Sequence, residues 1–299
     1  MWTNSGQIFE SLNMIESSIK RKLFGGEVEI VVFNIEEPLA KDILESVYEE
    51  GLNLQKVFNF YDEDSELSKL NTERRLKVSS QLLEVINTAL KFCELTHGEY
   101  DISLGKAIVQ RKFGKKDLSV SCNYKDIIVK DDVITLAHED VMVDLGSIAK
   151  GYIADKMADY MKSLGVMSGI IDARGDIVVF GEAEQQIDIQ HPRITDKKLK
   201  SIRLKNTCVA TSGDYMQYAH DYEHSHILHK KDIISATVVA PSLMIADVYA
   251  SVLFVSKERL KIMSLKIMNM SDASGIKAMT VDNNMNIEYY NGFENLSKL

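Results

Sequence analysis

Cysteine is scarce in this sequence: Cys93, Cys122 and Cys208 are an odd number, widely spaced, and no C-x-x-C pair occurs. That excludes a disulfide framework and reads as reduced structural thiols in a reducing compartment. Positive charge is short as well. With 35 Lys and Arg against 44 Asp and Glu the formal net charge is −9, and no basic run occurs, which argues against a non-specific nucleic-acid binder. No apolar run reaches the length needed to span a bilayer. The opening residues, MWTNSGQIFESLNM, have neither the basic nor the apolar region of a secretory signal, and no early cysteine to carry a lipid. The expected compartment is the cytoplasm; an exported protein trimmed of its signal is the alternative. What is there is 299 residues, 45% apolar and 26% charged, the make-up of one large globular domain or two intimate ones.

The stretch from Val141 to Gly181 organises the rest. An apolar strand (Val141–Val143) runs into Asp144 and a Gly-Ser turn. A helix follows, with apolar positions Ile148, Tyr152, Ile153, Met157, Tyr160 and Met161 recurring at three and four, and Gly165 stops it. Two strands (169–173 and 177–180) flank the turn Arg174-Gly175-Asp176. A carboxylate at a strand end beside a helix start suits a phosphorylated ligand with a metal, since free N–H groups meet the anion and hard oxygens meet the cation. The plainer alternative is that Asp144 caps the helix.

Elsewhere the spacing predicts an amphipathic helix over residues 7–23 (Ile8, Leu12, Ile15, Ile19, Leu23), broken by Gly25-Gly26, then a strand over 27–33. Helices are predicted over 38–59 and 80–96, and weak strands at 127–129 and 133–136. A loop region containing Pro192 precedes a strand that ends in Thr211-Ser212-Gly213. A helix carries Asp247 and Ser251 four apart, so both oxygens share one face and can reach one cation. The plainer reading has Asp247 complementing the helix dipole and Ser251 tucked into packing. Four histidines (His220, His224, His226, His229) fall within ten residues and invite a transition-metal reading. A final helix and a hairpin-like pair (276–281 and 285–289) close the chain.

The segment Asp144-Leu-Gly-Ser-Ile-Ala-Lys-Gly-Tyr-Ile-Ala-Asp155 resembles the D-L-x-x-[IV]-A-K-G-[YW]-x-x-D motif of the ApbE family, the FAD:protein FMN transferases. Further segments resemble the family in order: Phe24-Gly-Gly, Tyr61 to Asn71, Gly98-Glu-Tyr-Asp101, Asp172 to Asp176, Val209 to Asp214, His226-Ile-Leu, Ser235 to Ser242 and Ala246 to Val255. At least five motifs in sequence order, over roughly residues 24–290, make chance agreement remote. The resemblance implies an α+β fold of mostly antiparallel sheets flanked by helices, a single compact unit with a central FAD cleft. Its domain would occupy residues 24–299, behind an N-terminal helix at 1–23.

The same resemblance implies that Phe24, Tyr61, Glu99, Tyr100, Asp101, Asp144, Lys150, Asp176, Thr211, Ser212, Gly213 and Ile227 contact FAD. It implies that the Ser147 carbonyl, Asp247 and Ser251 hold Mg²⁺, and that Lys150, Asp247 and His226 take part in catalysis. The partner would be an acceptor flavoprotein bearing a D-x-x-[ST]-G-A-T-like segment, whose Thr or Ser hydroxyl receives FMN as AMP leaves. Ser65 reads independently as a helix cap, and Asp101 as the residue that fixes the turn after Gly98. The sequence departs from the pattern at two places. Arg174 stands where the family has glycine, and His229 replaces the Asp of a D-P-x-T-G turn that is missing here. Two further readings therefore stay open: an FAD pyrophosphatase giving FMN and AMP, and a non-enzymatic FAD-binding protein.

Overall fold

The protein is described by a computed structural model covering residues 15–112, 120–214, 232–256 and 275–297. Its first two strands, β1 (Glu16–Leu23) and β2 (Gly26–Phe33), form a hairpin with Leu23 opposite Gly26. The two loop residues, Phe24 and Gly25, both have positive φ (55° and 71°), the twist a two-residue hairpin requires. This corrects the helix predicted over 7–23 for its part at 16–23. Ile15, Ile19 and Leu23 are four apart, a spacing that satisfies a period of two as well as 3.6, and Ser17 and Arg21 between them share the same strand face. Residues 1–14 lie outside the described residues.

Helix α1 (Leu39–Phe58) buries Ala40, Ile43, Leu44, Val47, Gly51, Leu54 and Phe58 on one stripe, as its spacing predicts. Next come α2 (Glu66–Glu73), β3 (Arg75–Lys77), α3 (Ser80–Leu95), α4 (Gly105–Lys112), β4 (Ile127–Lys130) and β5 (Val133–Leu136). Strands β3, β5 and β4 make a small antiparallel sheet in that order. Then follow α5 (Ala149–Ser163), β6 (Gly169–Ala173), β7 (Asp176–Gln190), β8 (Lys198–Gly213), β9 (Ile233–Ala240), α6 (Leu243–Val255), β10 (Lys277–Asp282) and β11 (Ile287–Tyr290).

The large sheet runs β1-β2-β6-β7-β8-β9-β10-β11, antiparallel at every pairing. The antiparallel α+β architecture expected from the sequence is what the chain adopts. The loop containing Pro192 is present but short, at 191–197: β7 and β8 extend as a long hairpin up to Gln190 and from Lys198, with a register shift between Val179 and Glu184, over residues where more loop was expected. The predicted final helix, over residues within 257–274, lies outside the described residues.

Strand alternation divides the interior. In β7, Val178 and Phe180 enter one core with α1, α3, α5 and α6, while Ile177 and Val179 enter another, closed by the 3-10 helix Phe293–Ser297. Strand β9 is buried at all eight positions because both its faces are covered. Helix α6 is correspondingly apolar nearly all round, pressed between β8, β9 and α5. Its contact with α5 is close: a Cβ on Gly151 would stand 2.5 Å from the Leu243 carbonyl oxygen. Among the described residues no helix is long and apolar enough to cross a membrane.

Candidate functional site

Tight docking of α5 against α6 sets one wall of a cavity of about 860 Å³, within the size range of cofactor-sized ligands. On α5, Gly151 admits the backbone of α6, and Asp155, one turn later, accepts hydrogen bonds from the Leu243 and Met244 N–H groups at 2.7 and 2.8 Å. Those are orphan donors of the α6 amino terminus. Burial pushes the Asp155 carboxyl up to about 6, even though both hydrogen bonds favour its ionised form. The K-G-x-x-x-D part of the motif thus holds the helix that carries Asp247 at a fixed position.

Asp247 is 5% exposed and accepts a hydrogen bond from the Gly151 N–H at 3.2 Å. Ser242 caps α6 instead, receiving the Ile245 N–H at 3.3 Å. Burial drives Asp247 up to about 7; the neighbouring Lys150 opposes that rise, and Asp176 adds to it. Lys150 is ion-paired with Asp176. Burial is the largest influence on the ammonium and would lower it, but attraction to Asp176 and Asp247 outweighs this and holds Lys150 above its ordinary value. Asp176 also accepts the Thr211 N–H at 2.9 Å. It is not part of the cavity wall and reaches it through Lys150 and Thr211.

The loop before α5 supplies the next wall. Asp144 does not cap the helix: the cap position is Ile148, with no side-chain bond, and Asp144 accepts the Gly146 N–H at 2.8 Å. Ser147 meets the buried Tyr100 hydroxyl at 2.8 Å. Tyr100, Glu99, Asp144, Ser147, Lys150 and Asp247 all line the one cavity. Asp144 and Asp247, from the loop before α5 and from α6, thus share one cleft. From the sheet, Thr211, Ser212 and Gly213 line it too, with Ser212 Oγ 3.1 Å from Ser251 Oγ and Thr211 Oγ1 3.0 Å from Thr237 Oγ1. Phe24 lines the rim, and Tyr61, 70% exposed, stands at the mouth.

Asp101 touches the cavity, but its carboxylate accepts the Ser103 N–H at 2.8 Å and the Tyr124 N–H at 3.0 Å, the turn-fixing geometry. Ser65 caps α2 through the Ser68 N–H at 3.0 Å, as its spacing indicated. His226 and Ile227, with the other histidines of that cluster, lie outside the described residues.

Several supports carried no sequence expectation of their own. Asn71 bonds both backbone groups of Val143, accepting its N–H at 2.7 Å and donating to its carbonyl at 2.9 Å. Arg74 donates to the carbonyls of Val141 (2.5 Å) and His138. Gln55 accepts the Phe24 N–H at 2.7 Å. Asn71 closes the Tyr61–Asn71 motif, and its position there was the available signal.

The chain is 27% identical over 228 residues to the FAD:protein FMN transferase of Vibrio cholerae, covering 66% of this chain and 68% of that one. It is 28% identical over 234 residues to the Haemophilus influenzae protein of the same name, with the same coverage. The ApbE protein of Thermotoga maritima superposes with a TM-score of 0.78 at 25% identity, covering 95% of this chain and 99% of that one. The flavin transferase ApbE of Vibrio cholerae shares the fold at a TM-score of 0.76 and 22% identity, covering 93% and 97%. A family model, that of the ApbE family, matches residues 24–272, a span that contains every residue of the cavity wall; this protein belongs to the ApbE family.

Proposed function

We propose that this chain is an FAD:protein FMN transferase, moving FMN from FAD to a Ser or Thr hydroxyl of an acceptor flavoprotein and releasing AMP. The observation that carries the reading is the meeting of Lys150 and Asp247, from two helices, on one cavity wall beside the Thr211-Ser212-Gly213 strand end. Relatives of that name support it. The acceptor segment would resemble D-x-x-[ST]-G-A-T. The compartment would be the cytoplasm, in keeping with three buried free thiols.

In the reaction the acceptor oxygen bonds to the FMN-side phosphorus, the phosphorus–oxygen bond to AMP breaks, and AMP takes that electron pair. Lys150, held protonated, stabilises charge on the pyrophosphate as a point cation. Thr211, Ser212 and Gly213 supply hydroxyls and open backbone to position the ligand. The donors for Mg²⁺ would be the Ser147 carbonyl, Asp247 and Ser251, all on the cavity wall. They fit a hard cation: Asp247 is a buried carboxylate in need of a counter-charge, and Ser251 lies one helical turn on. When bound, the ion would neutralise phosphate charge as Lys150 does. The acceptor proton would pass to His226 or to Asp247, the two candidates of the sequence reading.

Incubation of the pure protein with FAD and Mg²⁺, with and without a peptide carrying the acceptor segment, tests this. AMP and an FMN-modified peptide are expected only when peptide is present. AMP without peptide would make the chain a pyrophosphatase, and intact bound FAD would make it a binder. Asp247→Asn should lower the rate on the order of 10²-fold or more.

A further inference from the structure

The β6–β7 hairpin turn brings a cation to the cavity rim that the surrounding pattern does not call for. Arg174 has φ 64°, a left-handed conformation suited to glycine and costly for a side chain. The following Gly175 has φ 95°, so the pair forms a two-residue hairpin turn. Any Arg174 side chain is therefore held at a conformational cost for which the turn itself gives no return.

Its side chain has a built resting place. The guanidinium Nη1 donates to the Phe24 carbonyl at 2.8 Å, and Phe24 is itself pinned by Gln55. The arm lies over the bare backbone of Gly26: a Cβ there would meet Arg174 Nε at 2.5 Å and Cδ at 2.9 Å. Gly26 does not have positive φ, so its backbone geometry alone does not call for glycine. The space over it is filled by the arginine.

Lys150 and Arg174 are the two cations on the described cavity wall. Lys150 is matched by Asp176, whereas no carboxylate of the described residues is within ion-pair range of Arg174. The two cations are close enough that Arg174 weighs against protonation of Lys150. An anion lying between them would relieve that repulsion and engage guanidinium donors left over from the single bond to Phe24.

We infer that Arg174, pre-positioned by Gly26 and the Phe24 carbonyl, binds the pyrophosphate of the dinucleotide at the cavity rim. This rests on the flavin reading proposed above, and assigns a phosphate contact to a residue that replaces a glycine. Holding the arm in place before binding lowers the entropy lost on contact.

The test is equilibrium binding of FAD, FMN and riboflavin in EDTA, so that no turnover is read, at low and high salt. Arg174→Gly is the central variant, because glycine is at home at φ 64° and its fold is expected to survive. It should weaken FAD binding about three- to tenfold, leave riboflavin unchanged, and flatten the salt dependence of FAD affinity. Gly26→Ala should reproduce the loss by displacing the arm while keeping the charge, and adding it to Arg174→Gly should cost little more. Equal affinity of wild type and Arg174→Gly for FAD overturns the inference, as does an equal loss for riboflavin, which would make the arm a packing element. Wild-type protein that binds no flavin nucleotide overturns the flavin reading and this inference with it.

Discussion

A single side chain amide does the work of a strand partner in front of α5. Asn71 holds Val143 by both its N–H and its carbonyl, and Asp144 begins directly after that clamp. Without it, the backbone groups of the buried Val143 would stay unpaired, at about 1–3 kcal/mol. Arg74 secures Val141 on the same segment. Asn71→Ala is therefore expected to lower unfolding free energy by about 1–3 kcal/mol, and to weaken FAD binding although Asn71 itself does not line the cavity. Denaturant titration gives the first quantity and flavin binding the second. Loss of stability with unchanged flavin affinity would show that the Asp144 loop does not depend on the clamp.

Packing of α6 on α5 is the element-scale device that makes a site out of distant segments. Asp155 is ionised above about 6 while buried against the α6 start. A carboxyl whose folded pKa is raised contributes stability that is full below its unfolded value, near 4, and is lost as pH rises through 6. Between pH 3.5 and 7 this single group should cost on the order of 3 kcal/mol. Asp155→Asn removes the titration, so the stability difference between wild type and variant should shift by that amount in favour of the variant as pH rises. Chemical denaturation at both pH values measures it, and a pH-independent difference would refute the assignment. Periodicity made α5 legible, whereas the cavity position of Lys150, Asp247 and Ser251 was legible only through the resemblance of their segments to the family's motifs. A lysine on a first helical turn, and an Asp and a Ser four apart, read by themselves as ordinary helix residues. Neither signal disclosed why Gly151 and Asp155 are present, since their partners are backbone atoms of a helix far along the chain. β1 was misread because a spacing of four fits two periods. The outer part of the β7–β8 hairpin was missed although its signal is present: Ile187 and Ile189 in β7, and Ile202 and Leu204 in β8, alternate with polar residues and enter the second core.

At the scale of the whole molecule, the cavity exists only when the hairpin turns at Phe24 and Arg174, the end of α1, the Asp144 loop, the end of β8 and α6 are all in place. No stretch of unfolded chain can offer that set of contacts, so a ligand that fills the cavity binds the native state alone. Linkage then fixes the size of the effect: at a hundred times its dissociation constant, FAD should add about 2.7 kcal/mol to the unfolding free energy. For a chain of this length that corresponds to a rise in midpoint temperature of a few degrees. Riboflavin at the same concentration should raise it less, since the sugar-phosphate contacts with Lys150 and the Thr211–Gly213 strand end would be missing. A thermal scan with each flavin decides the matter, and an unchanged midpoint at saturating FAD would show that this cavity is not where a dinucleotide binds.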